Sequence, residues 1–257
     1  MSEPEIRTRD ILGVNIAISS YAEVAKRSIA WAATGDSRVV FYANVHMIME
    51  ARDHPDFRAM LNAADMVNSD GMPLVWALRG LGERTAKRVY GPDATEVLLA
   101  AAEDARIPVG FYGGDSSTLA TLLERVRRRH PQLNIAYVKS PPFHPLSAAE
   151  DEEIVRELSA SGARILFVGL GCPKQERWIM EHRGRISAVM HGVGAAFDFL
   201  AGTKPQAPRW IMRAGLEWLF RLASEPGRLA DRYLRNNPRF VMMFVQEWVR
   251  FVAARRS

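Results

Sequence analysis

The stretch Arg164-Ile165-Leu166-Phe167-Val168-Gly169-Leu170-Gly171-Cys172-Pro173-Lys174-Gln175-Glu176 decides the fold. Residues 164–168 read as a short apolar strand, glycines then turn the chain, and Pro173 suits the first turn of a helix reaching His182. Strand, glycine turn and helix in immediate succession make half of a βαβ unit.

The same alternation extends outward in both directions. Further strands are expected at Ile11–Ile18, Arg38–Ala43, Pro108–Tyr112, Asn134–Val138 and Ala188–His191. Segments of helical period fall between them at Tyr21–Ala33, Ala94–Ala105, Ser117–Arg129 and Ala148–Ser161. Ser147 with Glu150 reads as a capping box, each side chain satisfying a free N–H at the start of a helix. The expected fold class is α/β: a mostly parallel, Rossmann-like sheet flanked by helices. Near Lys204-Pro205-Gln206-Ala207-Pro208 the strand signal stops. Beyond it, Trp210, Ile211, Ala214, Trp218, Leu219 and Leu222 recur at helical spacing, with Arg209, Arg213, Glu217 and Arg221 in an i, i+4 row. A second amphipathic stretch carries Phe240, Phe244, Trp248, Phe251 and Val252. The expected domains are therefore an α/β body over 1–203 and a basic, aromatic-rich helical appendage over 204–257. That appendage suits either completion of the core or a membrane-facing, site-closing role.

Composition narrows the function classes. With 48% hydrophobic and 25% charged residues in 257, the chain has the profile of a folded protein. The single cysteine, Cys172, excludes a disulfide framework and a thiolate-rich zinc site. A polar Met1–Arg7 start lacks the apolar stretch of a secretory signal, so the expected compartment is the cytoplasm. The most apolar run, Phe240–Ala254, is broken by Gln246, Glu247 and Arg250 and is no bilayer span. Of the net charge of +5, the segment from Lys204 onward carries +7 (11 Lys/Arg against 4 Asp/Glu), leaving the rest at −2. Basicity confined to a tail argues against nucleic-acid binding by the main body.

Ligands of open parallel sheets gather beyond the carboxyl ends of strands. Three such ends carry unusual residues: Tyr42-Ala43-Asn44-Val45-His46, Gly113-Gly114-Asp115-Ser116, and the Gly169–Glu176 turn. Glycine permits close backbone approach, and a helix N-terminus offers N–H groups to phosphate. Neither glycine turn fits the dinucleotide or P-loop pattern, which counts against NAD enzymes and ATPases. No His, Asp or Glu set has metal-ligand spacing, and no nucleophile elbow is present. His46 and His191 read as satisfied structural histidines. Taken alone, Asp70 in Asn68-Ser69-Asp70-Gly71-Met72-Pro73 reads as an ordinary turn residue.

In order, however, these fragments resemble the WecB/TagA/CpsF family of bacterial glycosyltransferases. The blocks are Asn44, Ser69–Pro73, Arg88-Val89-Tyr90-Gly91-Pro92-Asp93, Gly113-Gly114, Val168–Glu176, Gly192–Asp198, Gly215-Leu216-Glu217-Trp218-Leu219-Phe220-Arg221 and Glu225-Pro226-Gly227-Arg228. Many members have threonine where this chain has Tyr42 and arginine where it has Gln206, and some have an arginine at the position of Asp231, which Arg232 follows here.

The resemblance implies an inverting, metal-independent enzyme without cofactor. It would move a hexose or N-acetylhexosamine, of ManNAc or glucose type, from a UDP-sugar to a polyprenyl-diphosphate-linked saccharide in cell-surface or exopolysaccharide synthesis. It further implies Asp70 as general base and Asn44 in the same pocket. Arg88 and Gln175 would help hold the donor, Arg221 and Arg228 from the appendage would engage the diphosphate, and Lys174, Gly113, Gly114, Gly171 and Arg232 would join them as substrate-binding residues. The implied location is the cytoplasm, at the inner face of the cytoplasmic membrane, with self-association left open. The competing expectation is a non-catalytic UDP-sugar-binding subunit of a polysaccharide-assembly complex.

Overall fold

The structure, a computed structural model, describes residues 5–142 and 144–254. Met1–Pro4 of the polar N-terminal stretch, and Arg255 and Arg256 of the basic tail, lie outside the described residues. The chain begins β1 (Thr8–Ile11), β2 (Val14–Ala17), α1 (Tyr21–Thr34), β3 (Arg38–Ala43), α2 (Val45–Asp53), α3 (Pro55–Asn62), β4 (Met66–Ser69) and α4 (Met72–Gly80). It continues through α5 (Gly91–Asp104), β5 (Val109–Gly113), α6 (Ser116–Arg129), β6 (Ile135–Lys139), α7 (Ala148–Ser161) and β7 (Ile165–Gly169). It ends with α8 (Lys174–Glu181), β8 (Val189–Gly192), α9 (Ala196–Ala201), α10 (Arg209–Arg213), α11 (Glu217–Ser224) and α12 (Pro226–Ala254). The α/β class holds: apart from the antiparallel β1–β2 pair, the described strand pairings are parallel.

Two compact units share the chain. One comprises Ser20–Phe41 and Gly91–Lys204; the other comprises the segment up to Ser19, Tyr42–Tyr90 and everything from Pro205. The first unit carries the strand order β3-β8-β7-β5-β6. Strands β3, β5, β7 and β8 are apolar and almost wholly buried, as expected of parallel strands covered on both faces, whereas the edge strand β6 buries only Tyr137. The capping box opens α7 as its sequence requires, with Ser147 Oγ accepting from Glu150 N–H and Glu150 holding Ser147 N–H.

The second unit holds β1, β2 and β4, the last two residues of β3, and helices α2–α4 and α10–α12. The single strand expected over Ile11–Ile18 is instead the end of one strand, a turn and a second strand. Leu12 and Gly13 take φ of +52° and +93°, the left-handed pair that closes a two-residue hairpin. The first helix of the C-terminal segment is likewise two, α10 and α11, broken where Gly215 adopts φ +73°. A Cβ there would collide with the Trp76 indole, so only glycine fits the turn. β4 is an additional strand that hydropathy does not reveal. It contains only two apolar residues, and its Asn68 and Ser69 are buried polar groups. Asn68 Oδ1 accepts from the Ser19 hydroxyl at 2.6 Å, which makes that burial tolerable. The long α12 is tied down by polar contacts. Glu247 accepts from Leu12 N–H (3.0 Å), Arg239 forks onto Asp53 (2.6 and 2.9 Å), and Asn236 meets His46 (3.2 Å).

Candidate active site

Asp70 sits immediately beyond β4. Its backbone N–H donates to the Ala43 carbonyl at the end of β3 (2.8 Å), and Val89 N–H donates to the Ser69 carbonyl (2.8 Å). The Ser69 hydroxyl adds a bond to the Lys87 carbonyl at 3.0 Å. These contacts fix the segment bearing Arg88 alongside the turn bearing Asp70. Asn44, the residue after β3, caps α2 by accepting from Met47 N–H at 3.2 Å. Asn44 and Asp70 thus leave adjacent strand ends together, the place where parallel sheets present ligand-binding groups.

A cavity of about 370 Å³ opens there, entirely within this unit. Asn44, His46, Asp70, Arg88 and Tyr90 line it with Glu217, Arg221 and Arg232 from the C-terminal helices. Trp76, Trp218 and Phe240 supply apolar wall. Glu217 and Arg221 reach it together because four residues on α11 place them on one face.

Arg88 organises the charges. Its Nε donates to the Asp70 carbonyl, while Nη2 lies 2.5 Å from Glu217 Oε2 and 3.5 Å from Asp70 Oδ1. The guanidinium also lies over the Tyr90 ring, 4.2 Å from its centroid. The side chains of Arg88, Asp70 and Glu217 are only 15%, 18% and 12% exposed, so their mutual Coulomb interactions exceed those of surface pairs. Burial opposes the charge on Arg88, but Asp70 and Glu217 hold it more firmly protonated than an ordinary arginine. Burial, with Glu217 and Asp70 nearby, raises the Tyr90 phenol well above its usual value and keeps it neutral. His46 is pushed down to about 4 by burial and by the Arg232 charge, so it is neutral at physiological pH. Three arginines face two carboxylates in this cavity, which leaves positive charge for an anionic group.

Five residues singled out in the sequence therefore converge here: Asn44, Asp70, Arg88, Arg221 and Arg232. Arg228 does not line the cavity; it is half exposed on α12 and pairs with Glu225 at 2.7 Å. The other five lie in the first unit. Gly113 takes φ +124°, and a Cβ on it would strike the backbone of Gly169, so it serves the close approach of β5 to β7. Gly114 donates to the Gly169 carbonyl. Gln175 is 3% exposed, and its Oε1 accepts from the N–H groups of Gly171 (3.2 Å) and Gly194 (3.0 Å). Its Nε2 donates to Glu176 at 2.7 Å, so the carboxamide clamps two turns. Lys174 opens α8 and, with Arg177 and Trp178, lines a separate cavity of about 630 Å³.

Sequence reasoning missed Glu217, Tyr90 and His46 as pocket residues. For Glu217 a signal was present, since it stands one helical turn before Arg221. His46 was set aside as structural, and its Nδ1 contact with Asn236 does anchor it, yet it lines the cavity as well.

A model described as the glycosyl transferase WecG/TagA/CpsF family matches residues 9–253. An N-acetylglucosaminyldiphosphoundecaprenol N-acetyl-beta-D-mannosaminyltransferase from Bacillus spizizenii is 32% identical over 205 residues, covering 77% of this chain and 75% of the relative. Because the family match takes in nearly the whole chain, with every cavity residue named above, the chain belongs to the WecG/TagA/CpsF family and is a glycosyltransferase.

Proposed function

We propose that the protein transfers an N-acetylhexosamine or hexose from a UDP-sugar to a polyprenyl-diphosphate-linked saccharide, with inversion and without a metal. The observation that carries the reading is the convergence of Asp70 with Arg88, Arg221 and Arg232 in one partly shielded cavity. Asp70 takes the proton from the acceptor hydroxyl, whose oxygen then attacks the anomeric carbon from the face opposite the departing UDP. A single displacement inverts that carbon. The bond to the diphosphate oxygen breaks, and the charge developing there meets the arginines. N-acetylmannosamine is the first sugar to test, because the Bacillus spizizenii relative is named for that transfer to a lipid-diphosphate-linked N-acetylglucosamine.

The C-terminal helices suit a membrane-anchored acceptor. Among the described residues no helix is long and apolar enough to cross a bilayer. Yet Trp210, Leu234, Val241, Met242, Val245 and Val249 are exposed on a segment carrying net +7. Such a surface suits peripheral docking to anionic lipid, at about 1 kcal/mol per basic residue near the headgroups. Incubation with a panel of UDP-sugars and a short-chain lipid-diphosphate N-acetylglucosamine, followed by mass analysis, tests the reading. Product heavier by one sugar residue is expected. UDP binding without transfer or hydrolysis across the panel sinks it.

A further inference from the structure

We propose that Glu217 is a positioning residue that sets the proton affinity of Asp70 by sharing the Arg88 guanidinium with it. The proposal rests on Asp70 being the base. An arginine beside a carboxylate favours its charged form and makes it a weaker base. Here the same Nη2 is 2.5 Å from Glu217 and 3.5 Å from Asp70, so the closer hydrogen bond belongs to Glu217. The Asp70 carboxylate therefore faces a cation already paired, plus the second negative charge of Glu217. Both effects raise its affinity for the acceptor proton.

Besides the neutral Tyr90 and His46, the remaining ionisable groups lining the cavity around Asp70 are Tyr233 and the cationic Arg221 and Arg232. Arg221 shares α11 with Glu217 and Arg232 comes from α12, so the C-terminal helices deliver arginines to the cavity together with an opposing carboxylate. Without Glu217 the arginine set would act on the base as well as on the leaving group. With it, the cavity holds cations for the diphosphate while the base keeps its strength.

The test is the pH dependence of kcat/KM for Glu217→Gln, Glu217→Asp and Asp70→Asn. Gln keeps the shape and an oxygen for Arg88 but removes the charge. Because both carboxylates contact the same Nη2, at 2.5 and 3.5 Å, their facing oxygens are no more than 6 Å apart; at about that separation, losing one charge shifts the partner by about 0.5 to 2 pH units between water-like and protein-like screening. The acid limb of E217Q is expected to move down by that amount, with a lower plateau, while E217D stays near the wild-type limb. An unmoved limb in folded E217Q, with D70N inactive, overturns the inference and leaves the base reading standing. Equal shifts in E217Q and E217D overturn it too, since shape rather than charge would then be responsible. An active D70N removes the base reading and the inference together. Should E217Q not fold, Glu217→Ala replaces it in the same comparison.

Discussion

The backbone N–H of Asp70 donates to the Ala43 carbonyl at 2.8 Å, locking the turn after β4 to the end of β3. This main-chain bond holds Asp70 without involving its carboxylate. An isosteric asparagine would keep that main-chain bond while losing the negative charge that faces Arg88.

Asp70→Asn is therefore expected to leave the thermal midpoint near that of the parent while turnover falls by about 10²–10⁴, the usual contribution of a general base. Steady-state transfer rates beside a thermal melt check both halves. Near-normal turnover would take Asp70 out of the proton-transfer step.

Asn44 combines a cap with a place in the cavity. Asn44→Ala loses the bond to Met47 N–H and is expected to cost about 1 kcal/mol of stability. Asn44→Ser retains a capping oxygen but shortens the reach into the cavity. Its stability is expected to match the parent while its activity drops. A serine variant as active as the parent would confine Asn44 to capping α2.

For Gln175 the expected loss is one of stability. Gln175→Ala strips the acceptor from the Gly171 and Gly194 N–H groups and the donor from Glu176. Leaving such partly buried groups unpaired costs about 1–3 kcal/mol. A denaturant titration should show the midpoint fall. An unchanged midpoint with impaired donor binding would instead assign Gln175 to the substrate.

How much of this was legible depended on where polar residues are buried. Between Arg38 and Phe41, and from Gly91 to Lys204, apolar strands alternate with capped helices, and the expected elements lie within a few residues of those observed. The region 44–90 was opaque. β4 hides behind buried Asn68 and Ser69, and α2 follows β3 with only the Asn44 cap to mark its start. Asp70 looked like a turn residue because the strand delivering it carries almost no hydropathy signal. The family blocks located it regardless. The arginines of the C-terminal segment were visible as a charge excess, but which of them face the cavity depends on the Gly215 break and on helical phase. That phase admits Arg221 and Arg232 and leaves Arg228 outside.

Two histidines give the protein an acid-sensitive stability. Unfolded, each imidazole takes up a proton near pH 6.5. Folded, burial and the Arg232 charge hold His46 neutral down to about 4, and burial holds His191 neutral down to about 3. Across that window the unfolded chain binds more protons, so stability falls as pH drops from 6.5 toward 4. The limiting slope is about 1.4 kcal/mol per pH unit for each histidine. Melts at pH 7.5, 6.5, 5.5 and 4.5 should show little change above pH 7 and a progressive decline below 6.5. His191→Gln cannot titrate, so its midpoint is expected to start lower but decline less steeply. A slope identical to the parent's would mean that His191 is protonated in the folded state, and that its burial among β-strand neighbours does not hold it neutral.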